Sequence, residues 1–97
     1  MDLSIAIPAY NEEESLPELV AWIDRALANS GIEYDIWFVD DGSTDQTWEV
    51  IETLHRKYPV VKGIRFRRNY GKSAALHTVF HQCTGKVVIT MDADLQD

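Results

Sequence analysis

The stretch KVVITMDADLQD, residues 86–97, sets three aspartates, Asp92, Asp94 and Asp97, directly behind the apolar run Val87 to Ile89. Carboxylates this close repel one another, and a bound cation offsets that repulsion. Asp92 and Asp94 are two apart, so they share a side on an extended strand end, or converge in a turn on a point about one ion wide. Oxygen-only ligands with room for water suit a hard cation, Mg²⁺ or Mn²⁺, that also grips phosphate oxygens. Gln96 adds a neutral oxygen. A lone D-x-D is more often a pair of solvated aspartates; its place just after a buried-type strand favours the metal.

Other residues add to this chemistry. VDDGSTD, residues 39–45, puts Asp40 and Asp41 behind a second apolar run. An acid there accepts hydrogen bonds from a ribose or from the N–H edge of a base, while Gly42, Ser43 and Thr44 serve the turn. PAYNEE, residues 8–13, lacks the glycine that close approach to a phosphate needs. Its Tyr10 can stack on a base instead, with Glu12 accepting from it. In NYGKSAAL, residues 69–76, Gly71-Lys72-Ser73 imitates the end of a P-loop, but position 66, which must be glycine, is Phe66. Gly71 and Lys72 still set a positive charge at a helix N-terminus near a diphosphate. His77 and His81 are spaced i, i+4, as metal ligands on a helix can be. No glutamate follows His77 and no third ligand is apparent, so both are read as structural or surface residues. Cys83 and His55 carry no signal.

The elements that must position these residues alternate along the chain. LSIAIPA is a first strand, ended by Pro8. Ser15 opens a capping box with Glu18, Pro17 sits in the first helical turn, and Leu16, Leu19, Val20, Ile23 and Leu27 follow at helical spacing until NSG closes the helix. YDIWFV is a second strand; Ser43 caps a second helix with Trp48, Ile51, Leu54 and Tyr58 on one face. VVKGIRF is a third strand, with Gly63 a weak point or bulge; GKSAALHTVFHQC is a third helix; and KVVITM is the fourth strand. The order β-α-β-α-β-α-β implies an α/β, mostly parallel sheet with right-handed crossovers. Ligands of such sheets sit beyond the strands' carboxyl ends, where PAYNEE, DDGSTD and DADLQD all fall. Trp22, Trp37 and Trp48 are assigned to the core.

Composition bounds these readings. The 97 residues make one domain at most, 45% hydrophobic and 26% charged, the balance of a globular protein. A net charge of -7 argues against a nucleic-acid binder. Seven of the nine Lys and Arg lie between Arg56 and Lys72, a basic block suited to an anionic ligand, to a membrane headgroup or simply to solvent. A single cysteine fits a reducing compartment, and MDLSIAIPAY is not a signal peptide. No run reaches the roughly 18 apolar residues of a membrane span, so the expected location is the cytoplasmic side, with a membrane-associated parent left open.

Taken together, SIAIPAYNEEESLPELV, FVDDGSTDQT, RNYGKSAAL and VVITMDADLQD resemble the nucleotide-binding half of family-2 glycosyltransferases. Within that family they look most like the polyprenyl-phosphate glycosyltransferases, such as dolichol-phosphate mannose synthase and bacterial undecaprenyl-phosphate sugar transferases. The resemblance covers essentially all 97 residues. It implies a Rossmann-like GT-A fold, truncated, in which residues 1–97 are the nucleotide-sugar-binding half and the acceptor half is absent. Carried over by position, it implies that Pro8, Tyr10 and Glu12 line the nucleoside pocket, with Val39 and Asp41 beside base and ribose. Asp92 and Asp94 would place Mg²⁺ or Mn²⁺ on the diphosphate, Ala93 would line the site, Gln96 would be a further ligand, and Lys72 would touch the diphosphate.

The reaction implied by the resemblance is inverting and metal-dependent. An acceptor oxygen attacks the anomeric carbon of a UDP- or GDP-linked sugar, and the nucleoside diphosphate leaves. The implied acceptor is a polyprenyl phosphate, in cell-envelope glycan or glycolipid synthesis; it is already anionic, so the need for a strong base falls. Any general base is expected beyond Asp97. The chain is therefore expected to bind donor without turning it over, and to self-associate through bare sheet edges. Two other classes compete. Nucleotidyl transfer needs a glycine-rich loop after the first strand, and a receiver-like Mg²⁺-binding signalling domain needs its acidic pair there; here the pair follows the second.

Overall fold

The computed structural model describes residues 1–93; positions 94–97, among them the expected ligands Asp94 and Gln96, lie outside the described residues. The elements are β1 (Leu3–Ala9), α1 (Leu16–Leu27), β2 (Tyr34–Asp40), α2 (Thr47–Lys57), β3 (Val61–Arg65), α3 (Lys72–Gln82) and β4 (Val87–Thr90). The four strands form one parallel sheet in the order β3-β2-β1-β4. The chain therefore builds outward from β1 to β3, then returns across the sheet to add β4 on the other side of β1. That reversal is the topological switch point of a doubly wound sheet.

Strand alternation divides the sheet into two faces. Ile5, Ile7 and Ala9 of β1, with Ile36 and Phe38 of β2, meet Leu16, Leu19, Val20 and Ile23 of α1 and Ile51 and Leu54 of α2. The isoleucine, leucine, valine and phenylalanine side chains among these contribute roughly 1.5–3 kcal/mol each, so this face anchors the domain. The opposite face is thinner: Ala6 and Val39 pack against Ala75 and Val79, the two buried residues of α3. Beside it, β4 is bare, with Val87, Val88 and Ile89 exposed by 57%, 38% and 41%.

Several expectations about element ends need correction. Pro8 does not end β1, which runs on to Ala9 in register with Asp40. The Ala6 carbonyl accepts from the Met91 N–H on the β4 side, and the Ala9 carbonyl accepts from the Asp41 N–H on the β2 side. By that alternation the Pro8 nitrogen faces β4, so the β2 ladder loses no donor. Ser15 forms no capping box: it already has helical backbone angles, and its Oγ donates to Glu12 Oε2 at 3.4 Å. Nor does Ser43 cap α2. Its Oγ accepts the Asn11 N–H at 2.9 Å, and the Thr47 N–H donates to Asp45 Oδ1 instead.

One core assignment and the reading of Gly63 also change. Trp22 is 52% exposed, because at 3.6 residues per turn it lies about 120° from the centre of the Leu16–Ile23 stripe; Trp37 and Trp48 pack at the margins of the two cores. Gly63 is no bulge, since β2 and β3 stay in register from Val61 to Arg65. A Cβ there would lie 2.7 Å from Ile51 Cγ2 and 3.1 Å from the Trp48 ring, so glycine lets α2 settle close to the sheet.

Candidate functional site

The carboxyl ends of β1, β2 and β4 converge on an open cleft of about 410 Å³. The end of β1 and the loop after it supply Pro8, Ala9, Tyr10 and Glu12, and Asp41 follows β2. Asn69, Gly71 and Lys72 come from the entry to α3, and Asp92 and Ala93 follow β4. The cleft thus opens where strand order reverses, between β1 and β4.

The loops around it are pinned to one another. Asn11, with φ at 53°, turns its side chain so that Oδ1 accepts the Thr44 N–H at 2.8 Å while its own N–H reaches Ser43 Oγ. The Glu12 N–H donates to Thr47 Oγ1 at 2.9 Å. Asp40 is buried and accepts the Ser43 N–H at 2.9 Å, which closes the turn after β2. Gly42, at φ 74°, lies so close to the next loop that a Cβ would sit 2.2 Å from the Arg68 carbonyl carbon.

Asp41 is the hub. It is 4% exposed, and its carboxylate accepts from the N–H of Tyr70 at 2.8 Å and of Gly71 at 3.0 Å. Its own carbonyl accepts from Asn69 Nδ2 at 3.2 Å. The N-terminus of α3 has no side-chain cap from within its own segment; Asp41, reaching across from β2, satisfies the N–H groups just before it. A carboxylate offers about four lone-pair sites, so two remain for a ligand at the cleft.

Across the opening, Lys72 Nζ and Asp92 Oδ1 lie 3.0 Å apart, both side chains largely in solvent. Such a pair adds little to stability, but it sets a carboxylate able to hold a cation beside an ammonium able to meet an anion. Outside the cleft, beside residues 11–15, burial pushes the Asp45 carboxyl up, yet hydrogen bonds from the Thr47 hydroxyl and N–H outweigh it and hold the group below its ordinary range. Burial pushes the Cys83 thiol up, away from the thiolate form.

Of the residues expected at the site, Pro8, Tyr10, Glu12, Asp41, Lys72, Asp92 and Ala93 all line this cleft. Val39 does not; it is fully buried beneath α3. Asp94 and Gln96 lie outside the described residues, among which no group of three His, Cys, Asp or Glu is placed to hold a metal ion. Asn69 was not anticipated, although it sits in the quoted RNYGKSAAL motif as a polar residue ahead of the glycine. The ties through Asn11 and Thr47 were also missed; an asparagine where the chain turns, able to take positive φ, was the available signal.

A doubly wound parallel sheet with acids and a lysine around a cleft at its switch point defines the Rossmann-like class of α/β protein. Residues 4–97 match the family described as Glycosyl transferase family 2, and the chain belongs to that family. It is 48% identical over 96 residues to a dolichol-phosphate mannosyltransferase of Pyrococcus furiosus, covering 99% of this chain and 26% of the relative. It is 45% identical over 96 residues to an undecaprenyl-phosphate 4-deoxy-4-formamido-L-arabinose transferase of Pseudomonas fluorescens, covering 98% of this chain and 28% of the relative. The chain thus spans about a quarter of the length of these relatives. Among solved structures, a mannosyltransferase of Pyrobaculum calidifontis in complex with GDP-Man and Mn²⁺ superposes with a TM-score of 0.82 at 24% identity, over 95% of this chain and 27% of that one. That likeness is one of fold. Among the described residues no helix is long and apolar enough to cross a membrane.

Proposed function

We propose that the chain binds the nucleoside diphosphate of an activated sugar, and that in the whole protein this sugar passes to a polyprenyl phosphate by inverting, metal-dependent transfer. One observation carries the reading: Glu12, Asp41, Lys72 and Asp92 converge on an open cleft at the switch point of the sheet. Tyr10, 45% exposed at its edge, offers a ring on which a base can stack. The names of the Pyrococcus and Pseudomonas relatives support a lipid-phosphate acceptor. The GDP-Man and Mn²⁺ held by the Pyrobaculum protein support the donor class and the metal.

Asp92, with Asp94 and Gln96, would hold Mg²⁺ or Mn²⁺. The fit rests on Asp92, a cleft-lining oxygen donor that already pairs with a cation. When bound, the ion supplies positive charge that stabilises the leaving diphosphate. Lys72 adds a second positive charge on the same side. Asp41 uses its two remaining lone-pair sites for the nucleoside while it holds Tyr70 and Gly71 in place. The acceptor phosphate oxygen forms its bond to the anomeric carbon as the bond from that carbon to the diphosphate oxygen breaks. That oxygen is anionic, so no proton has to be removed first. The relatives' lipid-phosphate acceptors support a place for the whole protein at a membrane surface, with the cytoplasmic side the expected one, and the bare β4 strand supports self-association of the isolated chain.

Titration calorimetry with UDP and GDP, each with and without Mn²⁺, tests the reading. One nucleotide should bind in a Mn²⁺-dependent manner, and Asp92→Asn and Asp94→Ala should each abolish that dependence with the fold intact by circular dichroism. Binding of neither nucleotide, or unchanged Mn²⁺ dependence in both variants, refutes it. A strictly monomeric chain at high concentration in light scattering refutes the self-association.

A further inference from the structure

The exposed surface of α3 carries two histidines that the cleft does not use. His77 and His81 face each other with Nε2 to Nε2 at 3.3 Å, ring centroids 4.7 Å apart and ring planes at 79°. Both are exposed, and neither has a hydrogen-bond partner other than the other among the described residues. At 3.3 Å the contact is long for a hydrogen bond between ring nitrogens. It is well matched to a shared ion. With metal–nitrogen bonds of about 2.1 Å, a 3.3 Å separation corresponds to an angle at the metal of about 104°, between the tetrahedral and octahedral values.

The surroundings select the kind of ion. The carboxylates that reach α3 do so at its ends, Asp41 and Asp92 at Tyr70 to Lys72 and the buried Asp35 near Cys83, and neither imidazole has a carboxylate partner among the described residues. Two imidazoles alone favour borderline divalent transition ions such as Zn²⁺, Ni²⁺ and Cu²⁺ over Mg²⁺ or Mn²⁺. We propose that His77 and His81 chelate one such ion per chain, with solvent completing its coordination, as a clip across one turn of α3. The clip has something to stabilise. Only Ala75 and Val79 of α3 are buried, and the helix is held at its start mainly through Asp41. The site stands apart from the donor cleft and does not depend on what that cleft binds.

The test uses the untagged chain with Zn²⁺ and Ni²⁺ as probes, followed by titration calorimetry, thermal unfolding and imidazole NMR. Saturable binding of one ion per chain is expected, with the His77 and His81 ring signals shifted and His55 unmoved, since His55 Nδ1 lies 2.6 Å from the Val61 carbonyl at the far end of α2. A hundredfold excess over Kd should raise the unfolding midpoint by roughly 10 °C or more. His77→Ala and His81→Ala should each weaken binding at least about tenfold, since each leaves a single ligand. Cys83→Ser should leave it unchanged. No saturable binding, binding unaffected by either histidine substitution, or binding lost in Cys83→Ser overturns the proposal. Nucleotide binding to the cleft is measured separately, so failure of one reading leaves the other standing.

Discussion

Replacing Asp41 with alanine isolates the hub of the cleft. The substitution removes a nearly buried carboxylate that accepts the Tyr70 and Gly71 N–H groups at 2.8 and 3.0 Å. A hydrogen bond to a charged group contributes about 1.5–3 kcal/mol, so the two together contribute about 3–6 kcal/mol. The freed N–H groups lie at the rim of an open cleft and regain water, which brings the expected loss to about 2–4 kcal/mol. Against the ~5–15 kcal/mol that holds a typical domain together, that is large, and it corresponds to a fall of roughly 10–20 °C in Tm. Asp41→Asn keeps one acceptor oxygen and should lose about half as much. Urea unfolding of the three proteins gives the stabilities, and calorimetry on the folded fraction gives nucleotide affinity with and without Mn²⁺. Affinity should fall in both conditions, because Asp41 acts on the nucleoside and on loop 69–71 rather than on the ion. An alanine variant within about 0.5 kcal/mol of the parent refutes the hub; loss of the Mn²⁺-dependent component alone removes Asp41 from the nucleoside.

Other perturbations separate the remaining contributions. Gly42→Ala forces a Cβ to 2.2 Å from the Arg68 carbonyl carbon at a positive φ, and should cost about 1–3 kcal/mol in urea unfolding; an unchanged midpoint contradicts the loop contact. Lys72→Ala should leave stability within about 0.5 kcal/mol, because its partner Asp92 is exposed, yet weaken nucleotide binding about tenfold, as loss of a charge-assisted contact does; equal affinity takes Lys72 off the diphosphate. Asp45 titrates lower folded than unfolded, so its contribution is present above about pH 4 and disappears as pH falls through the folded value. Asp45→Asn should therefore be less stable than the parent at neutral pH and converge with it in acid; a difference that persists at pH 2 counts against the Thr47 hydrogen bonds as its source.

The elements and their order were legible because each burial pattern has one dominant period. Leu16, Leu19, Val20 and Ile23 recur at helical spacing and are buried, and the alternating faces of β1 and β2 follow from a two-residue repeat. Seven of the expected cleft residues also come together, because strand polarity alone decides that PAYNEE, VDDGS and the residues after β4 share one edge. What escaped the reading depends on distant partners. Ser15 and Ser43 have the right chemistry for helix caps, but Glu12 and Asn11 engage their hydroxyls first. Gly63 looks like a local defect until Trp48 and Ile51 of α2 are set against it. Asp41 reads as a ligand-facing acid; its grip on the N–H groups of Tyr70 and Gly71, twenty-nine and thirty positions away, becomes visible only in three dimensions.

Pro8 has a consequence for the shape of the cleft. Pairing of β1 with β4 ends at Ala6 and Thr90, with the Ala6 carbonyl taking the Met91 N–H. The next donor on that side would be the nitrogen at position 8, and proline has no hydrogen to offer the Met91 carbonyl. The two strands therefore unzip one step before the sheet ends, while on its other side β1 stays paired with β2 through Ala9. Freed from the ladder, the chain after Thr90 turns Ala93 down into the core and leaves Asp92 at the cleft. Pro8 thus acts as a wedge made of a missing atom, holding open a seam that a parallel sheet would otherwise close.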